Sequence, residues 1–354
     1  QGLPTENPEE PPNCHYIGED RYRQDTNIQV KARDVLITKD GTIGKVAYIK
    51  ELDKPATLNA GVFVIRGRDE YTSNLYMYHY LAAPFLLDYA DEQATGGTIK
   101  HLNQNVLVSF PVPMPSVAEQ EKVGHFFSAV NDLITLHQRE HDKTVNIKKA
   151  LLEKMFPKDG EDKPEIRFAG FTDAWEQRKL GDLSSVVMNR RIFKEQTAES
   201  GDIPFYKIGT FGAEPDSFIS RELFEEYKSK YPYPKVGDIL ISASGSIGKT
   251  VEYTGKDEYF QDSNIVWLQH DERLNKSFLK HFYSVVKWHG LEGSTIKRLY
   301  NKNILDTKIN VPSLDEQQVV GAFFDRLSDL ITLHKRELTK LQNIKKALLE
   351  KMFV

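Results

Sequence analysis

Apolar side chains recur at steps of three and four along two stretches of the chain. In 312–353 they fall at Phe323, Leu327, Leu330, Ile331, Leu338, Leu341, Ile344, Leu348 and Met352, and in 115–156 at Phe126, Val130, Leu133, Ile134, Leu136, Ile147, Leu151 and Met155. This spacing predicts one apolar stripe along each of two long helices, and neither stretch contains an internal proline. Ser116 and Ser313 stand at the N-cap positions, with Glu119 and Glu316 three residues on in a capping-box arrangement. The second helix starts acidic (Asp315, Glu316, Asp325, Asp329) and ends in lysines (Lys340, Lys345, Lys346, Lys351), a polarity that suits the helix dipole. About 40 residues at ~1.5 Å each make a rod of roughly 60 Å.

Outside the rods the period changes. Short alternating runs at Val35–Ile37, Gly61–Ile65, Ile239–Ser242 and Asn264–Leu268 predict strands, whereas Asn74–Tyr89 and Asn275–Trp288 predict helices. Both regions preceding the rods are therefore expected to be α+β globules.

The rods are duplicates. Pro115–Phe156 aligns without gaps on Pro312–Phe353, and 28 of 42 positions are identical. Fainter repeats precede them. Asp34-Val-Leu-Ile-Thr-Lys-Asp-Gly-Thr-Ile-Gly-Lys45 matches Asp238-Ile-Leu-Ile-Ser-Ala-Ser-Gly-Ser-Ile-Gly-Lys249, and Thr98-Ile-Lys-His-Leu102 matches Thr295-Ile-Lys-Arg-Leu299. The order is globule (1–114), helix (115–156), linker (157–174, rich in charge, Pro and Gly), globule (175–311), helix (312–354). A lone rod with a wide apolar stripe needs a partner, and its own duplicate supplies one as an antiparallel coiled-coil pair with pseudo-twofold symmetry. His137 and His334 lie on or beside the stripe, either packed there or serving as a ligand or switch. Aligning the glycine turns, and Tyr16-Ile-Gly18 with Lys207-Ile-Gly209, puts Gln1 near residue 192. The first globule is thus expected to lack the 35 residues equivalent to Pro157–Arg191.

Composition narrows the class. With 47 Lys plus Arg against 51 Asp plus Glu, the net charge is −4, so the chain is no basic polyelectrolyte and any grip on nucleic acid must be local. The single cysteine, Cys14, makes no intrachain disulfide and fits a reducing, cytoplasmic setting. No apolar run reaches the roughly 18–20 residues of a membrane span, and Gln1–Pro12 does not read as a signal peptide.

Candidate chemistry is sparse. Ala243–Thr250 fits a permissive phosphate-loop pattern, but Val251-Glu-Tyr-Thr continues as strand and turn rather than the helix such a loop must open. Asp216 with Glu226 and Lys228 mimics a metal-nuclease constellation that has no counterpart in the first half. No nucleophile triad or metal-ligand spacing emerges among the ten histidines, so no catalytic or metal site is assigned. The Gly-Ser/Thr-Ile-Gly-Lys segments read instead as strand-to-strand turns. They are either purely structural or DNA contacts, made through Thr38, Lys39, Thr42 and Lys45 in one globule and Ser242, Ser244, Ser246 and Lys249 in the other. Basic positions nearby add Lys100, His101, Arg190, Arg191, Lys297 and Arg298 as candidates, against the alternative that they are solvated surface charges.

Arg167-Phe-Ala-Gly-Phe-Thr-Asp-Ala-Trp-Glu-Gln-Arg-Lys-Leu-Gly181 resembles the entry to a target-recognition domain of a type I restriction–modification specificity subunit. The helices ending Asn146–Phe156 and Asn343–Phe353 resemble that family's conserved regions. The resemblance implies two α+β target-recognition domains separated by two long antiparallel helices, each domain reading one half of a split, asymmetric sequence in double-stranded DNA. It implies that the rods dock two methyltransferase subunits in a host-defence complex that also contains motor-nuclease subunits. S-adenosylmethionine, ATP and Mg²⁺ would then belong to those partners, with no cofactor on this chain, which would be non-catalytic. A chain whose partners clamp the DNA backbone has no need of a strong positive charge of its own. Two other readings stay open: a protein–protein scaffold without DNA preference, and a nucleotide-binding or nuclease enzyme.

Overall fold

The computed structural model describes residues 15–67, 70–93, 101–288 and 298–353. The first part of the chain forms α1 (Glu19–Gln24), strands β1 (Val35–Thr38), β2 (Val46–Tyr48) and β3 (Val62–Ile65), then α2 (Asn74–Leu81), α3 (Phe85–Gln93), α4 (Gln104–Ser109) and the long α5 (Val117–Met155). The second part forms β4 (Glu176–Lys179), β5 (Ser184–Val187), β6 (Ile203–Tyr206), β7 (Phe218–Ile219), α6 (Arg221–Lys230), β8 (Ile239–Ser242), β9 (Thr250–Glu252), β10 (Tyr259–Phe260) and β11 (Ile265–His270). It ends in α7 (Lys276–Phe282), α8 (Asn301–Asp306), β12 (Lys308–Val311) and α9 (Leu314–Met352). The expected strands and both long helices are present. The helix expected over Asn74–Tyr89 is two, because Pro84 cannot donate to a continuing helix, and the one expected over Asn275–Trp288 stops at Phe282.

The chain divides into two compact units, one of residues 1–139 with 334–354 and the other of residues 140–333. The division differs from the linear order of globules and rods, since each unit takes part of both long helices. In the first unit an antiparallel sheet of order β2-β1-β3 packs on a core of Val35, Ile37, Tyr76, Leu86, Leu102, Phe127 and Phe353. Along the helices Phe127 stacks on Phe353 with ring centroids 5.4 Å apart, and His137 Nδ1 lies 3.2 Å from His334 Nδ1. In the second unit the main sheet runs β5-β11-β8-β9, accompanied by β12-β4 and β10-β6-β7. Its core holds Phe156, Trp175, Ile241, Val266, Phe278 and Phe324. Here Lys148 Nζ donates to Ser328 Oγ at 2.7 Å, and the Phe156 ring lies 6.2 Å from Phe324. Within each unit the α9 partner numbers fall as the α5 numbers rise, so the two helices run antiparallel there.

Residues that are identical in the two rods do identical work. Gln120 donates to the Tyr71 and Pro115 carbonyls and accepts from the Ser73 N–H. Gln317 does the same with the Arg273 and Pro312 carbonyls and the Asn275 N–H. Ser73 and Asn275 cap α2 and α7, so each buried glutamine fastens the start of a rod to a capped helix of the head beside it, and every polar atom of its amide is used. Gly124 and Gly321 let the helices approach: a Cβ on Gly321 would lie 2.8 Å from the Phe278 nitrogen, and one on Gly124 would lie 3.2 Å from the Tyr76 nitrogen.

The capping box expected at Ser313 is half made. Its Oγ accepts from the Glu316 N–H at 3.4 Å, but both Glu316 carboxylate oxygens are taken by Arg167 at 2.7 Å. The 157–174 stretch is accordingly no slack tether. Ile166 N–H donates to the Lys154 carbonyl, Trp175 N–H to that of Asp162, and Phe168 packs edge-on against Phe323.

Each unit also buries one imidazole between head and rod. His79 Nε2 meets Ser128 Oγ at 3.0 Å, and His281 Nε2 meets Asp325 Oδ1 at 3.0 Å. Burial pushes both down to about 4, with nearby Lys345 (for His79) and Lys148 (for His281) acting in the same direction. An unfolded histidine takes its proton near pH 6.5, so the unfolded state binds protons that the native state refuses. Stability is full above pH 6.5 and falls as pH drops toward 4, by up to about 3 kcal/mol per histidine. Urea unfolding at pH 7.0 and pH 5.0, a window above most carboxylate titration, is expected to show the loss; a flat profile would mean the imidazoles are solvated.

Candidate nucleic-acid interface

The two glycine segments fold into one frame. In the first unit β1 and β2 are joined by a hairpin in which Thr38 Oγ1 donates to the Thr42 carbonyl and accepts from the Lys45 N–H at 3.0 Å. In the second, between β8 and β9, Ser242 Oγ donates to the Ser246 carbonyl and accepts from the Lys249 N–H at 2.9 Å. Gly44 and Gly248 donate to the carbonyls of Thr38 and Ser242, both at 2.9 Å. Four glycines sit in the left-handed region, Gly41 and Gly44 at φ 71° and 74° and Gly245 and Gly248 at 65° and 80°. A Cβ on Gly44 or Gly248 would also strike Leu87 or Trp288. The phosphate-loop resemblance of Ala243–Thr250 therefore ends in a hairpin, with strand rather than helix on its far side.

Each turn is buttressed from the same two directions. Lys39 and Ala243 donate to Gly61 and Asn264, the residues just ahead of β3 and β11, and accept from Leu102 and Leu299. That second contact brings a basic side chain beside each turn. His101 Nδ1 meets the Asp40 carboxylate. Arg298, paired by backbone with Ser244, donates to Ser263 Oγ at 3.0 Å and Asn264 Oδ1 at 3.3 Å and lies over the Tyr300 ring. Arg191 joins the same neighbourhood through Asp262 at 3.1 Å, while Arg190 stacks 5.3 Å over Tyr231.

Placement separates the candidate residues. Thr42, Lys45, His101, Arg190, Arg191 and Ser246 are exposed, and Thr38, Lys39 and Arg298 are half-buried. Lys39 leans its ammonium over the Phe63 ring at 4.9 Å. Ser242 and Ser244 are corrections: both are buried, the first building the turn and the second donating to Asn264 Oδ1 at 2.8 Å, so neither hydroxyl is offered outward. Lys249 is exposed along its stem, but its ammonium donates to the Phe211 carbonyl, and this anchors the loop. Lys100 and Lys297 lie outside the described residues. Sequence reasoning missed Asp40, Ser263 and Asn264, whose importance comes from contacts with distant segments and leaves no local pattern. The nuclease-like trio is dispersed into separate pairs, Asp216 with Lys207, Glu226 with Lys230 and Lys228 with Asp257. Among the described residues no three His, Cys, Asp or Glu side chains converge to hold a metal, and no helix is long and apolar enough to cross a membrane.

Comparison with known proteins bears on this frame. A putative type I restriction enzyme specificity subunit of Haemophilus influenzae is 40% identical over 303 residues, covering 84% of this chain and 75% of that protein. The MjaIX specificity subunit of Methanocaldococcus jannaschii is 24% identical over 377 residues, covering 99% and 85%. The crystal structure of a type I restriction–modification S subunit from M. genitalium has the same fold, with a TM-score of 0.62 at 17% identity over 91% of this chain and 83% of that one. The family model of the type I restriction–modification DNA specificity domain matches twice, over residues 7–145 and 172–343. Two copies of that domain, each built on the same glycine hairpin and followed by the same rod, make this chain a member of the type I restriction–modification DNA specificity family.

Proposed function

We propose that this chain is the sequence-specific DNA-recognition subunit of a type I restriction–modification complex. Each head reads one half of a split, asymmetric site in double-stranded DNA. The rods hold the heads at a set separation and dock two methyltransferase subunits, and motor-nuclease subunits complete the complex. Methylation and cleavage, with their S-adenosylmethionine, ATP and Mg²⁺, belong to those partners, and the chain itself is non-catalytic. One observation carries the reading: an identical hairpin frame in both heads carries different residues, Lys39-Asp40-Gly41-Thr42 against Ala243-Ser244-Gly245-Ser246, with Asp40 and Thr42 exposed in one and Ser246 in the other, each turn beside a different basic residue, His101 or Arg298. A fixed frame with changed tips is what two unlike readers require, since base edges are discriminated by side-chain donors held in set positions.

Binding-site selection with the methyltransferase-loaded complex is expected to return two short motifs around a fixed gap. Arg298→Ala should weaken binding by about 10- to 100-fold, the range of one lost base or phosphate contact, and relax only the half-motif read by the second head. A single uninterrupted motif, or relaxation of both halves at once, contradicts the assignment. Absence of any DNA preference with the methyltransferase present favours the protein scaffold instead.

A further inference from the structure

The rods bring one pair of duplicated side chains face to face. His137 of α5 and His334 of α9 hold the same place in the two repeats, and in the first unit each is the other's neighbour. Their Nδ1 atoms lie 3.2 Å apart and their ring centroids 5.5 Å apart. Ile134, one turn before His137, is half-buried, and Leu338, one turn after His334, is buried. The imidazoles therefore stand on the apolar seam between the helices, where a polar ring costs stability unless it is given a partner. Both rings remain half-exposed, so solutes can reach them.

Two neutral imidazoles so placed share one hydrogen bond, an Nδ1–H on one ring donating to the bare Nδ1 of the other. The same two nitrogens also fit a cation. Zinc binds imidazole nitrogen at ~2.0–2.1 Å, and two such bonds to nitrogens 3.2 Å apart enclose an angle of about 100°, near the tetrahedral value. A modest tilt of each ring aims both lone pairs at that point. Among the described residues no third His, Cys, Asp or Glu side chain converges on the pair, so water completes the coordination. A donor set of neutral nitrogens suits zinc, nickel and copper, whereas Mg²⁺ and Ca²⁺ require oxygen.

We propose that His137 and His334 form a two-imidazole site for a late first-row divalent cation of the Zn²⁺ or Cu²⁺ class, which ties α5 to α9 within the first unit. Each helix supplies one ligand, so the cation binds only where the two are paired, and its binding adds to the stability of the pairing. His141 is the rival ligand, because it follows His137 by four residues on α5 and that spacing also sets two side chains on one helix face. Its Nδ1 already meets Asp142 Oδ1 at 3.0 Å, which favours His334. The inference does not depend on the DNA reading, and its readout requires no DNA.

The test uses the full chain, stripped by chelation and dialysis, with Zn²⁺, Cu²⁺ or Mg²⁺ as the only cation added. Calorimetry is expected to find one Zn²⁺ site in the micromolar range, tighter binding of Cu²⁺ and none of Mg²⁺. Amide exchange over residues 130–138 and 334–341 should slow by about tenfold when free Zn²⁺ is about ten times its Kd, the factor by which a ligand of the paired state suppresses opening. Exchange in β8 and β11 should not change. His137→Gln and His334→Gln should each abolish the site and the protection, while His141→Gln keeps both, and bound Cu²⁺ should show hyperfine coupling to two nitrogens. Binding that survives His334→Gln overturns the proposal, as does its loss in His141→Gln, equal protection by Mg²⁺, or no Zn²⁺ site. If either of the first two variants unfolds without metal, the copper spectrum of the His141→Gln chain decides: two nitrogens support the site, and one or none overturns it.

Discussion

Phe353→Ala is expected to destabilise the first unit by about 3–5 kcal/mol, the range for emptying an aromatic site in a packed core. The ring lies just past the last turn of α9, yet it is buried and sits 5.3 Å from Tyr76, 5.3 Å from Tyr80 and 5.4 Å from Phe127. Those partners come from α2 of the first head and from α5, more than two hundred residues earlier in the chain. Phe156 is its duplicate, lodged among Trp175, Phe278 and Phe324 in the second unit. Each rod therefore ends as a plug in the head that follows it around the repeat. Native-state amide exchange is the measurement. Phe353→Ala should speed exchange in α2 and β1 while leaving β8 and β11 near their original protection, and Phe156→Ala should do the reverse. Uniform loss across both heads would mean that the units unfold together and the plugs are not local.

The second large effect concerns length. Adding seven residues to α5 after Arg139, and seven to α9 after Leu333, keeps the heptad seam and lengthens the rods by about 10 Å. At roughly 3.4 Å per base pair the unread gap in the selected DNA site should grow by about three base pairs, with both half-motifs unchanged. The same insertion in α5 alone should instead displace Phe156 or Phe353 and cost stability without a clean change of gap. An insertion after Phe156 would be a poorer ruler, because the chain there is tied down through Ile166, Arg167 and Phe168. Site selection on the three variants decides the matter, and an unchanged gap in the paired variant would show that the rods do not set it.

The rods were legible because their period and duplication are local properties of the sequence, and the glycine hairpins because two left-handed residues in a fixed spacing demand glycine. What stayed hidden depends on contacts between distant segments. Gln120 and Gln317 read as ordinary helix-surface residues until their amides are seen closing three hydrogen bonds, two to the neighbouring head and one to the proline carbonyl at the rod's own start. Arg167 was recognised by family resemblance, but its role in diverting Glu316 from the helix cap needed the fold. The candidate interface was half legible for the same reason. The hairpin announced itself, yet which hydroxyls build it and which face outward follows from burial: Ser242 and Ser244 look as available as Ser246 on paper.

The hairpin places shape and meaning in different atoms. Backbone amides, one hydroxyl and two glycines hold the loop, and Thr38 and Ser242 serve equally well as that hydroxyl. The tips at Thr42 and Ser246 take no part in holding the strands together beyond their carbonyls. Mutations there should therefore drift at little thermodynamic risk, so a lineage carrying this scaffold can acquire new binding preferences in small steps without passing through misfolded ancestors.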